Sequence, residues 1–263
     1  MVPKCCHHLH PLKFRYYEVV LTHYSYELSA PKHVSATIGL IVLQTDETIE
    51  QDFRRIFSDS SISVYVTRVP SGDEVTPETL AEMSNNLPTA AGLLPGQQQF
   101  DVVGYGCTSG SAVIGTEEIE RLVKSACRTK HVTNPLGSLV EQCRASRVKN
   151  LGILSPYIAS VSQTLRDELL ACGIATPVFG SFDEAEEARV AKISPASIRD
   201  AAIDIGRSAL VDGVFLSCTN LRTLDVIPEI ESELGKPVFS SNYALAWNMA
   251  RLASVAISKP WIL

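Results

Sequence analysis

The sequence predicts an α/β protein built as two pseudosymmetric lobes, each a parallel sheet flanked by helices, with the active site in the cleft between them. Three observations carry this. Short apolar runs alternate with segments of helical spacing from Thr37 onwards, the pattern of strand–helix–strand units in parallel sheets. The order of these segments repeats in the second half of the chain. Each half also holds an acidic residue, a buried-strand run and then Cys-Thr, as Asp101-Val102-Val103-Gly104-Tyr105-Gly106-Cys107-Thr108 and as Asp212-Gly213-Val214-Phe215-Leu216-Ser217-Cys218-Thr219. Ligands of open α/β sheets bind beyond the carboxyl ends of the strands. The two Cys-Thr pairs are therefore expected to share one site.

In chain order, residues 1–34 read as an irregular N-terminal extension, with Tyr16, Tyr17, Tyr24 and Tyr26 at no clean period. Cys5, Cys6, His7, His8 and His10 are metal-binding types, but a structural zinc site needs two separated ligand pairs. No second pair follows, so no metal is expected. Lobe 1 spans residues 35–147. It opens with a strand at 37–43, a loop and helix start at Gln44-Thr45-Asp46-Glu47, and helix-spaced apolar residues at 49–57. A strand at 61–66 and the turn Val69-Pro70-Ser71-Gly72 follow. Thr76-Pro77-Glu78-Thr79 opens a helix with proline at its first position, running towards Leu94. The Cys107 strand, a helix at 117–126 and a strand at 131–133 complete the lobe, which ends in Asn134-Pro135.

Lobe 2, residues 148–263, repeats this order. Strands are expected at 150–155, 174–179, before Cys218 and at 237–240; helices at 161–172, 197–211, up to Leu234 and at 244–256. Asn242 echoes Asn134. The last helix is expected to pack across onto lobe 1.

The 263 residues, 45% hydrophobic and 20% charged, give room for one large domain or two small lobes, each with a core. A formal charge of −6 and the lack of a Lys/Arg stripe argue against a nucleic-acid partner. No apolar stretch is long enough to span a membrane. The N-terminus lacks an apolar core with a cleavage site, and the seven cysteines are odd in number and irregularly spaced. Reduced thiols in a cytoplasm are the expectation.

A thiol where a strand gives way to a helix N-terminus meets free N–H groups and the positive end of the helix dipole. These are expected to lower its pKa from about 8.5 towards neutrality. Thr108, Ser109 and Ser111 add hydroxyls beside Cys107, and Thr219 and Asn220 do the same beside Cys218. With one thiol on each face of a bound carbon acid, one removes a proton while the other supplies one, and the polar cradle holds the developing charge. The competing reading makes each cysteine a small buried hydrophobe; repetition of the Cys-Thr context weighs against it. Cys127, Cys143 and Cys172 fall in helix-like runs and read as packing residues. Of the six histidines only His131 lies in the regular part, which leaves no Ser-His-Asp or Cys-His arrangement. Neither a Gly-x-Gly-x-x-Gly nor a Walker motif occurs, so no cofactor is expected.

The motifs Gly-Tyr-Gly-Cys-Thr-Ser-Gly-Ser, Asn134-Pro135, Ser155-Pro156-Tyr157 and Leu-Ser-Cys-Thr-Asn-Leu, spread over residues 37–256, carry a resemblance. The chain resembles the aspartate/glutamate racemase superfamily, in the branch with maleate cis-trans isomerase and arylmalonate decarboxylase. Leu-Gln-Thr-Asp-Glu-Thr, Val-Pro-Ser-Gly-Asp and Ser-Cys-Thr-Asn-Leu-Arg-Thr-Leu-Asp look most like the racemase-like proteins of ectoine utilisation. The resemblance implies a cofactor-independent enzyme and a homo-oligomer, with Cys107 and Cys218 as catalytic thiols. Thr108, Ser109, Tyr157, Thr219 and Asn220 would hold substrate carboxylate oxygens, and Asn134 would line the pocket. Decarboxylases of the branch keep only the second-half thiol, so two thiols favour racemisation or isomerisation of a small carboxylate, an amino acid or ectoine-type compound. The alternatives are a maleate-type isomerase with a nucleophilic cysteine, an arylmalonate-like decarboxylase, and a non-catalytic small-ligand-binding protein. Maleate isomerases carry Asn where this chain has Asp46. A carboxylate there suits a substrate with a cationic nitrogen; the bland alternative is that Asp46 starts the following helix.

Overall fold

The computed structural model describes residues 21–29, 34–72 and 74–257. The chain divides into two units, residues 1–32 and residues 33–263. Of the first unit, residues 21–29 are exposed and carry neither helix nor strand. Cys5, Cys6, His7, His8 and His10 lie outside the described residues.

The second unit holds two parallel sheets of four strands. The first contains β1 (Ala36–Leu43), β2 (Ile62–Val69), β3 (Phe100–Gly106) and β4 (Thr129–Thr133), in the order β2-β1-β3-β4. The second contains β5 (Asn150–Ser155), β6 (Ala175–Ser181), β7 (Gly213–Leu216) and β8 (Val238–Ser240), in the order β6-β5-β7-β8. The two orders are the same, as the repeated pattern requires. Every residue of β1 is buried, because a parallel sheet covered on both faces leaves no polar side. In each sheet the strand order reverses between the two central strands, where a crevice opens. Gly106 pairs with Val42, and Leu216 with Leu154, so the segments leaving the central strands emerge side by side.

The helices are α1 (Ile49–Ile56), α2 (Pro77–Gly92), α3 (Thr108–Ile114), α4 (Thr116–Ala126), α5 (Pro135–Ser146), α6 (Ala159–Ala171), α7 (Glu187–Val190), α8 (Pro195–Gly206), α9 (Ile227–Leu234) and α10 (Ser241–Leu252). Proline opens α2 as read from the sequence. Thr76 and Thr79 there exchange side-chain and backbone hydrogen bonds as a capping box. The same polar-residue-then-proline device starts α5, where Asn134 accepts from Gly137 N, and α8, where Ser194 accepts from Ser197 N.

Three local expectations need correction. The single helix read at 117–126 is preceded by a separate one, α3, and Gly115 at φ +90° makes the break. No helix starts at Cys218; a turn fills the space up to α9. The helix read at 197–211 stops at Gly206. α10 packs against β3, α5 and α1, which brings the last helix onto the first sheet. One apolar cluster is continuous from Leu40 and Phe53 to Leu216 and Leu245, so both sheets share a core.

Candidate active site

Cys107 leaves β3 and caps α3 in an extended conformation, φ −147°. Its sulfur accepts the Gly110 N–H at 3.2 Å. Gly110 has to be glycine for this approach, since a Cβ there would lie 2.6 Å from the Tyr105 hydroxyl and 2.9 Å from Cys107 Sγ. The Tyr105 hydroxyl in turn reaches Met83 Sδ at 3.4 Å.

Cys218 leaves β7 differently. Its φ of +125° is a conformation that residues with a Cβ rarely adopt, and such strain gathers at functional positions. Its sulfur accepts the Asn220 N–H at 3.3 Å and lies 3.0 Å from the Tyr157 hydroxyl. One hydroxyl ties the two cysteine segments together. Ser241 Oγ, in the first turn of α10, accepts both the Cys218 N–H at 3.0 Å and the Thr108 hydroxyl at 2.7 Å.

Both cysteines line a single cavity, together with Thr108, Ser109, Tyr157 and Thr219. Leu43, Leu80 and Met83 form its apolar wall. It is covered from two sides: Glu74 pairs with Glu186 in an isolated antiparallel bridge, and Val75 N donates to Ala185 O at 3.4 Å.

Three residues expected at the substrate do not line the cavity. Asn134 is spent on structure: its Oδ1 caps α5 and its Nδ2 donates to Thr116 Oγ1 at 3.3 Å. Asn220 is a crosspiece. Its Oδ1 accepts Glu47 N at 2.9 Å and its Nδ2 donates to Glu187 Oε2 at 2.9 Å, so the amide is committed to protein partners. Asp46 Oδ1 accepts the N–H groups of Thr48 and Ile49, both at 2.8 Å, and thereby starts α1. Its other oxygen is buried without a hydrogen-bond partner. The helix-start reading of Asp46 therefore describes one of its two oxygens.

The residue missed in the sequence is Glu187. Only 3% exposed, it lines the cavity, accepts the Tyr157 hydroxyl at 2.5 Å and holds Asn220 with its second oxygen. Its setting in Asp183-Glu184-Ala185-Glu186-Glu187 looks like an ordinary solvated acidic run, and no local signal separates it from its neighbours.

Burial governs the ionisation of the site. It pushes the Cys107 thiol up to about 12; Glu187 and Asp46 add to the rise, while the Gly110 N–H and the Tyr105 hydroxyl oppose it. Burial, then Glu187, drives the Cys218 thiol well above its ordinary range against the Tyr157 hydroxyl and the Asn220 N–H. This overturns the expected fall towards neutrality. Cys218 starts no helix, and the seven-residue α3 does not offset the burial of Cys107. Burial likewise raises the Glu187 carboxyl, against hydrogen bonds from Tyr157 and Asn220, and raises Asp46. Among the described residues lining the cavity there is no Lys, Arg or His. No group of three or more His, Cys, Asp or Glu among the described residues is placed to hold a metal ion.

The model of the arylmalonate decarboxylase family matches residues 38–260. Arylmalonate decarboxylase of Bordetella bronchiseptica is 25% identical over 222 residues, covering 82% of this chain and 90% of its own length. Maleate isomerase of Nocardia farcinica is 25% identical over 234 residues, covering 85% of this chain and 92% of its own. A solved cysteine-to-serine variant of Nocardia farcinica maleate cis-trans isomerase, with a covalently bound succinylcysteine intermediate, superimposes with a TM-score of 0.74. It is 22% identical and covers 85% of this chain and 96% of that one. Both lobes and both cysteine segments fall inside the family match, and the chain belongs to the arylmalonate decarboxylase family.

Proposed function

We propose that the protein is a cofactor-independent isomerase that acts on a small unsaturated carboxylate between Cys107 and Cys218. The observation that carries this reading is that both thiols open onto one cavity, beside the hydroxyl-bearing residues Thr108, Ser109 and Thr219 suited to carboxylate oxygens. Cys107 is the nucleophile in this reading, since it caps α3 and accepts the Gly110 N–H, whereas Cys218 faces the Tyr157 hydroxyl and, behind it, Glu187. Cys107 first loses its proton to solvent; its thiolate then adds to one alkene carbon while the Cys218 S–H protonates the other. The resulting single bond rotates, Cys218 takes its proton back and the C–S bond breaks. A succinylcysteine adduct is what these steps yield from maleate, and the Nocardia farcinica relative carries one.

Racemisation, the main expectation from the sequence, uses the same thiols without a C–S bond. The relatives named above support the alternative instead, and none of them bears on an ectoine-type substrate.

The charge of the cavity narrows the substrate. Glu187 lies in its wall, and Asp46 acts electrostatically on both thiols. At 4 Å and an effective dielectric of 20, a second substrate carboxylate would be repelled by about 4 kcal/mol from either group if ionised. A substrate with one carboxylate, and a neutral or cationic nitrogen at the far end, fits better than a dianion. Proton NMR with maleate and its monoamide, maleamate, tests this, alongside intact-mass analysis of Cys218→Ser protein. Maleamate is expected to turn over at least about tenfold faster than maleate, with an adduct on Cys107 in the variant. Intact, alkylatable thiols that give neither turnover nor adduct with either probe would remove the basis of the reading.

A further inference from the structure

Two tyrosines stand in matching places, one beside each cavity thiol, and they differ in what lies behind them. Tyr105, beside Cys107, is backed by the Met83 sulfur. Tyr157, beside Cys218, is backed by a buried carboxylate. A tyrosine hydroxyl has a single proton. At 2.5 Å from Glu187 Oε1 that proton is directed to the carboxylate, which leaves the phenol oxygen as acceptor for the Cys218 S–H at 3.0 Å. Sulfur, phenol and carboxylate thus form a continuous, polarised chain. Asn220 Nδ2 supplies the second carboxylate oxygen with a neutral donor at 2.9 Å.

We infer that Glu187 is the proton store of Cys218, exchanging a proton with the thiol through the Tyr157 hydroxyl. In the forward step the Cys218 S–H bond breaks as its proton joins the Tyr157 oxygen, and the original Tyr157 proton moves to Glu187 Oε1. One proton crosses, one negative charge returns to sulfur, and nothing is oxidised or reduced. Run backwards, the same chain refills Cys218 after it has given a proton to a substrate carbon. The charge then ends on a carboxylate held by two neutral donors rather than on a desolvated sulfur. This use of the refilled thiol rests on the reading of Cys218 as proton donor; the exchange itself does not.

The other ionisable groups around Glu187 are Asp46 in the loop after β1, Cys107 just past β3, Glu74 of the cover, and Glu47 and Glu186, which line a second cavity with it. None of them bridges Glu187 to Cys218. On its own segment, Arg189 pairs with Glu184 instead.

Substrate-free alkylation tests the exchange. In a Cys107→Ser background, iodoacetamide labelling of Cys218 is followed by peptide mass spectrometry from pH 5 to pH 10. The relay predicts a rate that rises in two steps: it levels once Glu187 ionises and can accept the thiol proton, then rises again as the thiol titrates against solvent. Adding Glu187→Gln or Tyr157→Phe is expected to erase the first step and to lower the rate at pH 7 by about tenfold. Tyr157→Phe keeps the Glu187 carboxyl and its Asn220 donor but removes the bridge to sulfur, so loss of the first step in both variants marks the bridge rather than simple repulsion. A single rise in the parent, or a first step that survives Tyr157→Phe, overturns the inference. Because no substrate is used, failure of the isomerase reading leaves this outcome readable.

Discussion

The two cysteine segments began from one pattern and have parted in two respects. Both follow a central strand, both present Cys-Thr to the same cavity and both have a tyrosine beside the sulfur. Cys107 sits on relaxed backbone at a helix start, with an apolar partner behind its tyrosine. Cys218 sits on strained backbone in a turn, with a carboxylate behind its tyrosine. Position has been kept while the surroundings have not. The contrast teaches that pseudosymmetry of fold leaves two thiols free to take unequal roles.

The strongest way to disturb this pairing is to cut what joins the segments. Ser241→Ala removes the acceptor shared by the Cys218 N–H and the Thr108 hydroxyl. It is expected to lower kcat by about 10- to 100-fold and stability by about 1–2 kcal/mol. Steady-state kinetics with urea denaturation checks this; an unchanged kcat would mean that each segment holds its thiol alone.

Next comes the anchoring of the second segment. Asn242 Nδ2 donates to the Thr219 carbonyl and to Asp52 Oδ2, both at 2.8 Å, whereas the side chain of its counterpart Asn134 bonds to Gly137 N and Thr116. Burial pushes the Asp52 carboxyl up to about 7 against the Asn242 hydrogen bond and the charge of Arg55. A folded pKa above the unfolded value of 3.8 means that its contribution to stability is full below 3.8 and is lost as pH rises through about 7. Asp52→Asn escapes that loss. Urea denaturation should show the variant more stable by on the order of 2 kcal/mol at pH 8 and little changed at pH 4. An equal gain at both pH values would refute the role of the titration.

The smallest effect separates the backbones. At position 218 glycine relieves the positive φ, so Cys218→Gly should be more stable than Cys218→Ala by about 1 kcal/mol. At position 107, with an extended backbone, the order should reverse. Thermal melts of the four variants give the comparison, and the same order at both positions would contradict the described difference in strain.

The sheet pattern and both thiols were legible because they depend on local sequence: apolar runs for parallel strands, and the residues at which those runs end. The polarity of the site was not. Glu187 is one acid in a row of four, and only the placement of α7 under Asn220 makes it the buried one. Asn134 and Asn220 carry amides that serve a ligand and a helix start equally well, and tertiary partners decided between these uses. The direction of thiol ionisation was misread for the same reason. Helix starts are written locally, whereas desolvation is set by everything packed around the sulfur.

The continuous apolar core bears on how anything gets in. Two halves fused through Leu40, Phe53, Leu216 and Leu245 cannot swing apart like the jaws of a clamp without tearing that interior open. An entry route that spares this interior runs past the cover, whose two sides are joined, among the described residues, by the backbone bridge at Glu74 and Glu186.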